Sequence, residues 1–285
     1  MRVGLGLPIS DPAELLTWAR RADSGPFSTL GLLDRLVYHN PEPLVTLAAV
    51  VGATTRIRVQ TEVLLAPLRE PVLLAKQCAT LDRLSGGRFT LGIGLGGRPD
   101  DYTAAGVGLR DRGRRLDTQL ALLRRLWAGE PHSADVGPVG PAPSTPGGPE
   151  VLFGGFAPRA LERVAQWGDG FLSASTVPHT DQLFRAVERS WQAAARTGGP
   201  RLVAQLNVAL GADDVVTDAQ RTIRSYYAFT EYADQIAGSL CTTSGGLRDA
   251  VAAFGDIGAD EVMLYCWASD PDQVDRVADA ISTAR

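Results

Sequence analysis

The chain has very little lysine, histidine or cysteine. Of its 28 basic residues only Lys76 is a lysine, and the three histidines are scattered at 39, 132 and 179. With 32 acidic residues the formal net charge is -4, which gives no reason to expect a polyanion partner, and no nucleic acid is expected to bind. Cys78, Cys241 and Cys266 are odd in number and far apart, which rules out a disulfide framework and a CxxC metal pair and fits a reducing compartment. No cluster of His, Cys and carboxylates has metal-ligand spacing, and no GxSxG elbow offers a serine nucleophile. Long apolar runs are missing too: no stretch is long enough to cross a bilayer, and MRVGLGLPISDP turns polar too soon for a signal peptide. The expectation is a cytoplasmic protein with no membrane partner.

What is present is alternation. Short runs rich in Val, Ile and Leu alternate with longer amphipathic segments, as βα units around a parallel sheet require. Strands are expected near 2–7, 28–34, 56–64, 88–95, 150–154, 169–174, 201–210 and 260–266. Helices follow near 12–23, 42–53, 71–84, 110–128, 157–167, 180–196, 215–237 with 244–257, and 271–283. Asp11-Pro12 and Asp270-Pro271 each put an acceptor side chain before a proline suited to the first helical turn. Gly86-Gly87 supplies positive φ where the third helix must end. Residues 131–149 hold ten Pro or Gly in nineteen positions and read as a loop. Two four-stranded halves would leave open sheet edges, so the pattern predicts one α/β domain over 1–285, a (β/α)8 barrel with this loop on its surface.

The run Gly92 to Gly97 matches GxGxxG, the dinucleotide fingerprint, but in the wrong context. It ends the fourth strand instead of the first, and Arg98-Pro99-Asp100-Asp101 reads as a turn, with the next helix a dozen residues on. The glycines either let a flat ligand approach or satisfy packing where a barrel strand bends. Barrel active sites gather at strand C-termini. There, Phe153-Gly154-Gly155-Phe156-Ala157-Pro158-Arg159 runs from strand through a glycine turn into a helix. Its free N–H groups and Arg159, with hydroxyls from Ser173 and Ser175, form either a phosphate site or a Gly-rich turn with a solvated arginine. A mouth with glycines, one anion site and few acids or bases suits chemistry carried by an organic cofactor.

The run Thr61 to Gly97, TEVLLAPLREPVLLAKQCATLDRLSGGRFTLGIGLGG, resembles the bacterial luciferase-like family of flavin-dependent oxidoreductases. Arg112 to Glu130 and Phe153 to Phe171 are similar to that family's next two signatures. The likeness is specific over residues 1–175 and rests on the βα pattern beyond. It implies a barrel holding reduced FMN or the deazaflavin coenzyme F420 at the strand C-termini. A non-prolyl cis peptide, at Glu62-Val63 by position, is implied beneath the ring. Gly94, Gly96 and Gly97 match ring contacts, and Gly154, Gly155 and Phe156 match phosphate contacts.

The chain departs from the family in two places. Asp34-Arg35 stands where many members carry Asp-His, so a proton-transfer role is vacant or moved to His39. Glu62 replaces a small residue; its carboxylate can bond the ring or act as a base, but an ion pair with an arginine such as Arg35 is the expected arrangement. Tyr226 and Trp267 are candidates for a substrate pocket and Tyr102 for a lid. The leading function is a two-component monooxygenase that takes reduced FMN from a separate reductase and oxygenates a small organic substrate. The alternatives are an F420-dependent reductase or dehydrogenase and a non-catalytic flavin-binding relative. The family also implies a homodimer.

Overall fold

In a computed structural model the chain closes into an eight-stranded, all-parallel barrel ringed by helices; residues 1–282 are described. The elements are β1 (Arg2–Gly6), α1 (Pro12–Ser24), β2 (Thr29–Leu32), α2 (Pro43–Ala53), β3 (Arg58–Thr61), β4 (Leu64–Leu65), α3 (Pro71–Ser85), β5 (Phe89–Gly94), α4 (Pro99–Ala104) and α5 (Arg112–Trp127). The second half comprises β6 (Glu150–Gly154), α6 (Pro158–Trp167), β7 (Gly170–Ser173), α7 (Val177–Ala193), β8 (Arg201–Val208), α8 (Asp213–Tyr226), α9 (Ala233–Gly238), α10 (Ser244–Asp256), β9 (Glu261–Cys266) and α11 (Asp272–Ser282). Each expected strand is present, the third split into β3 and β4. The barrel closes where β3 and β5 pair, Val59 opposite Phe89 and Gln60 opposite Thr90. Residue 283 of the last expected helix lies outside the described residues.

The caps have the chemistry the sequence announced. Asp11 accepts the Ala13 N–H at 2.7 Å, and Gly86 ends α3 in the left-handed region at φ 63°. Residues 131–149 form the surface loop, tied down where Asp82 accepts from the Thr145 N–H at 2.7 Å and from its hydroxyl at 3.0 Å.

Two expectations need correction. Arg98-Pro99-Asp100-Asp101 is not a plain turn: Pro99 starts the short helix α4, which the six-residue length had hidden among loop signals. It still makes no dinucleotide site, because Asp100 and Asp101 put negative charge into its first turn. The helix expected over 215–237 is broken into α8 and α9, and the Tyr226 carbonyl at the end of α8 accepts from the Arg98 guanidinium at 2.9 Å.

Inside the barrel, glycines make room for large neighbours. Gly4 and Gly6 of β1 face Met263 and Tyr265 of β9, and Gly31 of β2 faces the Glu62 side chain. The N-terminal end is plugged by ion pairs: Arg201 bridges Glu150 and Glu261, and Arg58 lies 3.5 Å from Glu150. Burial alone would raise the Glu261 carboxyl, but Arg201 and the Ser28 hydroxyl donor outweigh it and hold the group below its ordinary range.

At the opposite end the peptide between Glu62 and Val63 is cis, as expected, and the chain bulges there. Val63 turns its side chain toward β5 and β6. A Cβ at Gly94 would stand 2.5 Å from Val63 Cγ2 and one at Gly154 2.9 Å from Cγ1, while a Cβ at Gly92 would overlap the Thr61 carbonyl oxygen. Packing against Thr61 and Val63 therefore requires glycine at all three positions. We expect Gly94→Ala to cost about 1–3 kcal/mol by overpacking, partly recovered in the Val63→Ala/Gly94→Ala double variant. Gly92→Ala is expected to cost more, because the opposing atom is backbone; urea unfolding of the four proteins checks the ranking.

Candidate active site

The mouth has a roofed half and an open half. Over the ends of β1, β2, β8 and β9 lies an apolar layer built from Leu33, Ala209, Tyr265 and Trp267, covered by Ala219, Ile223 and Tyr226 of α8 and by Ala237 of α9. Its rings form a continuous set. Tyr226 meets Trp267 at 5.6 Å and Tyr38 at 5.3 Å edge-on, and Tyr265 lies 5.7 Å from Trp267. Trp267 Nε1 donates to Asn207 Oδ1 at 2.9 Å. Tyr226 and Trp267, the expected pocket residues, are thus brought together here. Tyr102 is not: its ring is buried under α4 and its hydroxyl donates to the Leu95 carbonyl, so it is a packed anchor and not a lid.

Two arginines join the halves. Arg35 is buried, with Nη2 3.0 Å from Asp100 Oδ2 and Nε 3.7 Å from Asp101 Oδ2. The expected Arg35–Glu62 ion pair is therefore absent, because α4 presents two aspartates to Arg35 while Glu62 points into the barrel. Arg98, read in the sequence only as part of a turn, reaches under the roof from the end of β5, with its guanidinium carbon 4.4 Å from the Tyr226 ring centroid and 4.1 Å from that of Phe229.

Asp34 is turned to the bulge between β3 and β4. Its Oδ2 accepts from the Leu65 N–H at 2.8 Å, and both its oxygens pair with Arg69, at 2.6 and 3.1 Å, so it braces the bulge. Arg69, unnoticed in the sequence, completes this brace by also pairing with Glu42 at 3.0 Å. His39 is exposed and stacked on Tyr38 at 4.2 Å, outside the barrel.

Glu62 is buried, its Oε1 accepting from Gln60 Nε2 at 2.9 Å while Oε2 has no hydrogen-bond partner. Burial, opposed in part by the Gln60 bond, pushes its carboxyl up to about 8. It is therefore mainly protonated at neutral pH. Nearby, burial first and Glu62 second push the Tyr265 phenol well above its ordinary value.

The open half lies over β5, β6 and β7. Gly96 and Gly97 are exposed, and a Cβ at Gly97 would meet nothing within 4 Å. Gly155 adopts φ 144°, turning the chain into α6, whose N-cap Ala157 offers no side-chain acceptor. Phe156 and Arg159 are exposed beside this helix end. Ser175 bonds His179 Nδ1 at 2.9 Å, and that ring stacks on Phe156 at 5.8 Å. Ser173 does not join them. It is fully buried, its hydroxyl 2.8 Å from that of Thr180. His179 joins the group through tertiary packing, with no spacing to announce it. An uncapped helix start, a flexible cation and small polar donors fit a phosphate, and the exposed glycine edge beside Val63 fits a flat ring.

The protonated Glu62 carries a stability signature. The unfolded chain loses this proton near 4.5 and the folded chain near 8, so the folded state binds more protons between them and stability falls as pH rises through that window. Glu62→Gln is expected to flatten the slope, with a gain over the native chain that grows from pH 5 to pH 8 and reaches on the order of 1–3 kcal/mol. Urea midpoints across this range measure it.

A model of the luciferase-like monooxygenase family matches residues 2–283. An uncharacterized protein of Mycobacterium tuberculosis is 35% identical over 164 residues, which cover 55% of this chain and 56% of that protein, so the chain matches only about half the length of such relatives. The 4-hydroxyprotoasukamycin monooxygenase of Streptomyces nodosus is 27% identical over 79% of this chain and 72% of its own. The F420-dependent glucose-6-phosphate dehydrogenase of Kribbella flavida is 30% identical over 65% and 61%. Among solved structures, an F420-dependent secondary alcohol dehydrogenase shares the fold with a TM-score of 0.84 at 17% identity, over the full length of both chains. The braced bulge, the glycine notch and the open α6 start thus sit in a barrel whose sequence, matched from end to end but for a few residues, belongs to the luciferase-like monooxygenase family of oxidoreductases.

Proposed function

We propose that this chain is the oxygenase component of a two-component monooxygenase, taking reduced FMN from a separate reductase and acting on a small organic substrate. The observation that carries this reading is the state of the mouth's acids and bases. Asp34 is paired with Arg69, Asp100 and Asp101 face Arg35, and Glu62 holds its proton. His39 is exposed on the outer side of Tyr38 at the edge of the roof, and His179 lies beside Phe156 near the start of α6. A dehydrogenase that removes hydride from an alcohol must also take the hydroxyl proton, and this mouth keeps no ionised base free for it. Oxygenation asks instead for a site that limits water at the ring, and the aromatic roof adjoins, across Arg98, the glycine edge where the ring would lie.

Reduced FMN, when bound, would supply two electrons so that one atom of dioxygen enters the substrate and the other leaves as water. The Glu62-Val63 bulge, Gly96 and Gly97 would support the ring, and Gly154, Gly155, Phe156, Arg159 and Ser175 would hold the phosphate. Protonated Glu62, held inside the barrel beside Gln60 and Gly31, stays neutral below the bulge. The second reading, hydride transfer with coenzyme F420, is favoured by the Kribbella relative and gains a base only above pH 8, where Glu62 ionises.

Anaerobic titration with reduced FMN and with reduced F420, followed by air, is the test. We expect tighter binding of FMN and substrate-dependent uptake of oxygen. Selective F420 binding with no oxygen uptake would make hydride transfer correct, and FMN binding without any turnover would identify a non-catalytic binder. Arg159→Ala should weaken FMN roughly tenfold and leave riboflavin, which lacks the phosphate, unchanged.

A further inference from the structure

Arg98 is a buried cation without a counter-charge. The residue is 8% exposed, and among the described residues no carboxylate oxygen lies within 4 Å of its guanidinium nitrogens. The two nearest in sequence, Asp100 and Asp101, are turned to Arg35. Nη2 donates to the Tyr226 carbonyl at 2.9 Å, but Nε–H has no acceptor. Burying a guanidinium is costly unless it is paired and hydrogen-bonded, and here neither condition is met in full. Aromatic faces supply part of what is missing: Tyr226 at 4.4 Å, Phe229 at 4.1 Å and Tyr227 at 6.0 Å from the guanidinium carbon.

Its position makes the missing partner a ligand question. Arg98 directly follows the exposed Gly96 and Gly97 at the end of β5, and its far end lies against the α8–α9 turn, so it spans the boundary between the open and roofed halves of the mouth. Phe229 is half exposed, so the turn that lies against the guanidinium is itself open to solvent. A cation with a free N–H donor, bordered by rings at the mouth of an apolar layer, is suited to a carboxylate on a ring-bearing body.

Building on the reading of this mouth as the substrate site, we propose that the substrate is a small aromatic or alicyclic acid whose carboxylate is received by Arg98, beside Tyr226 and Phe229. Arg98 is then a specificity residue. An arginine that merely latched the roof would not distinguish an acid from its neutral analogue. This proposal requires it to.

The test compares matched probes by calorimetry: benzoate with benzamide, and 2-naphthoate with 2-naphthamide. It uses the full chain alone and again with reduced FMN. In the native protein each acid should bind at least tenfold more tightly than its amide. Arg98→Met should bring that ratio near one, and Arg98→Lys should leave it intermediate, since a point charge keeps attraction but loses the planar fork. Phe229→Ala should weaken acid and amide alike and keep the ratio, and with Arg98→Lys it carries the test if Arg98→Met does not fold by circular dichroism. Equal binding of acid and amide to the native chain, no millimolar binding of either, or a ratio that survives Arg98→Met overturns the proposal. Acid preference in a chain that binds no FMN would sink the cofactor reading alone, whereas FMN turnover with no acid preference would sink only this one.

Discussion

The Asp34 carboxylate holds the working end of the barrel in shape. It leaves the end of β2, accepts the Leu65 N–H at the start of β4, and locks Arg69, which in turn reaches Glu42 before α2. With that brace in place the chain can bulge at Glu62 and Val63, dropping one side chain into the barrel and turning the other toward β5 and β6. The rest of the mouth accommodates those two side chains. Gly31 leaves space for Glu62; Gly94 and Gly154 leave space for Val63. With the Asp34 side chain buried, this charge-assisted pairing is costly to break, because removing Arg69 strands a buried carboxylate.

The electrostatics of the two barrel ends differ. At the N-terminal end, arginines and glutamates neutralise one another and hold Glu261 ionised. At the C-terminal end the acids are withdrawn from use: Asp34 into the brace, Asp100 and Asp101 toward Arg35, and Glu62 by protonation. What remains at the mouth is a neutral donor, two cations, Arg98 and Arg159, with no ion pair among the described residues, and a wall of rings. Such a surface is better suited to orienting and drying a reaction than to moving protons.

The two halves of the mouth divide the labour of binding. The half over β5 to β7 is backbone-rich and exposed, with a helix start free of side-chain caps, which suits the polar end of a cofactor. The half over β8, β9, β1 and β2 is roofed by the insertion that holds α8 and α9. Arg98 lies at their boundary, so whatever it binds is held beside both.

Periodicity and punctuation alone determined the barrel: the 2-residue and 3.6-residue patterns, Asp-Pro starts, Gly-Gly at the end of α3 and the Pro/Gly loop are local signals, and local physics keeps them in the fold. The split of the third strand at Glu62-Val63 and the open α6 turn were also legible, through the family likeness of the motifs that carry them. Partners were not. Whether Arg35 met Glu62 or the aspartates, whether Ser173 or Ser175 faced the mouth, and whether Tyr102 was lid or anchor depended on which elements packed against them. The six residues of α4 gave no periodic signal, and Arg98 looked like any loop arginine until Tyr226 and Phe229, well over a hundred residues away, were laid against it. Sequence spacing fixes direction along one helix or strand, whereas a side chain's charge state and ligand are set by neighbours that only closure of the barrel brings near.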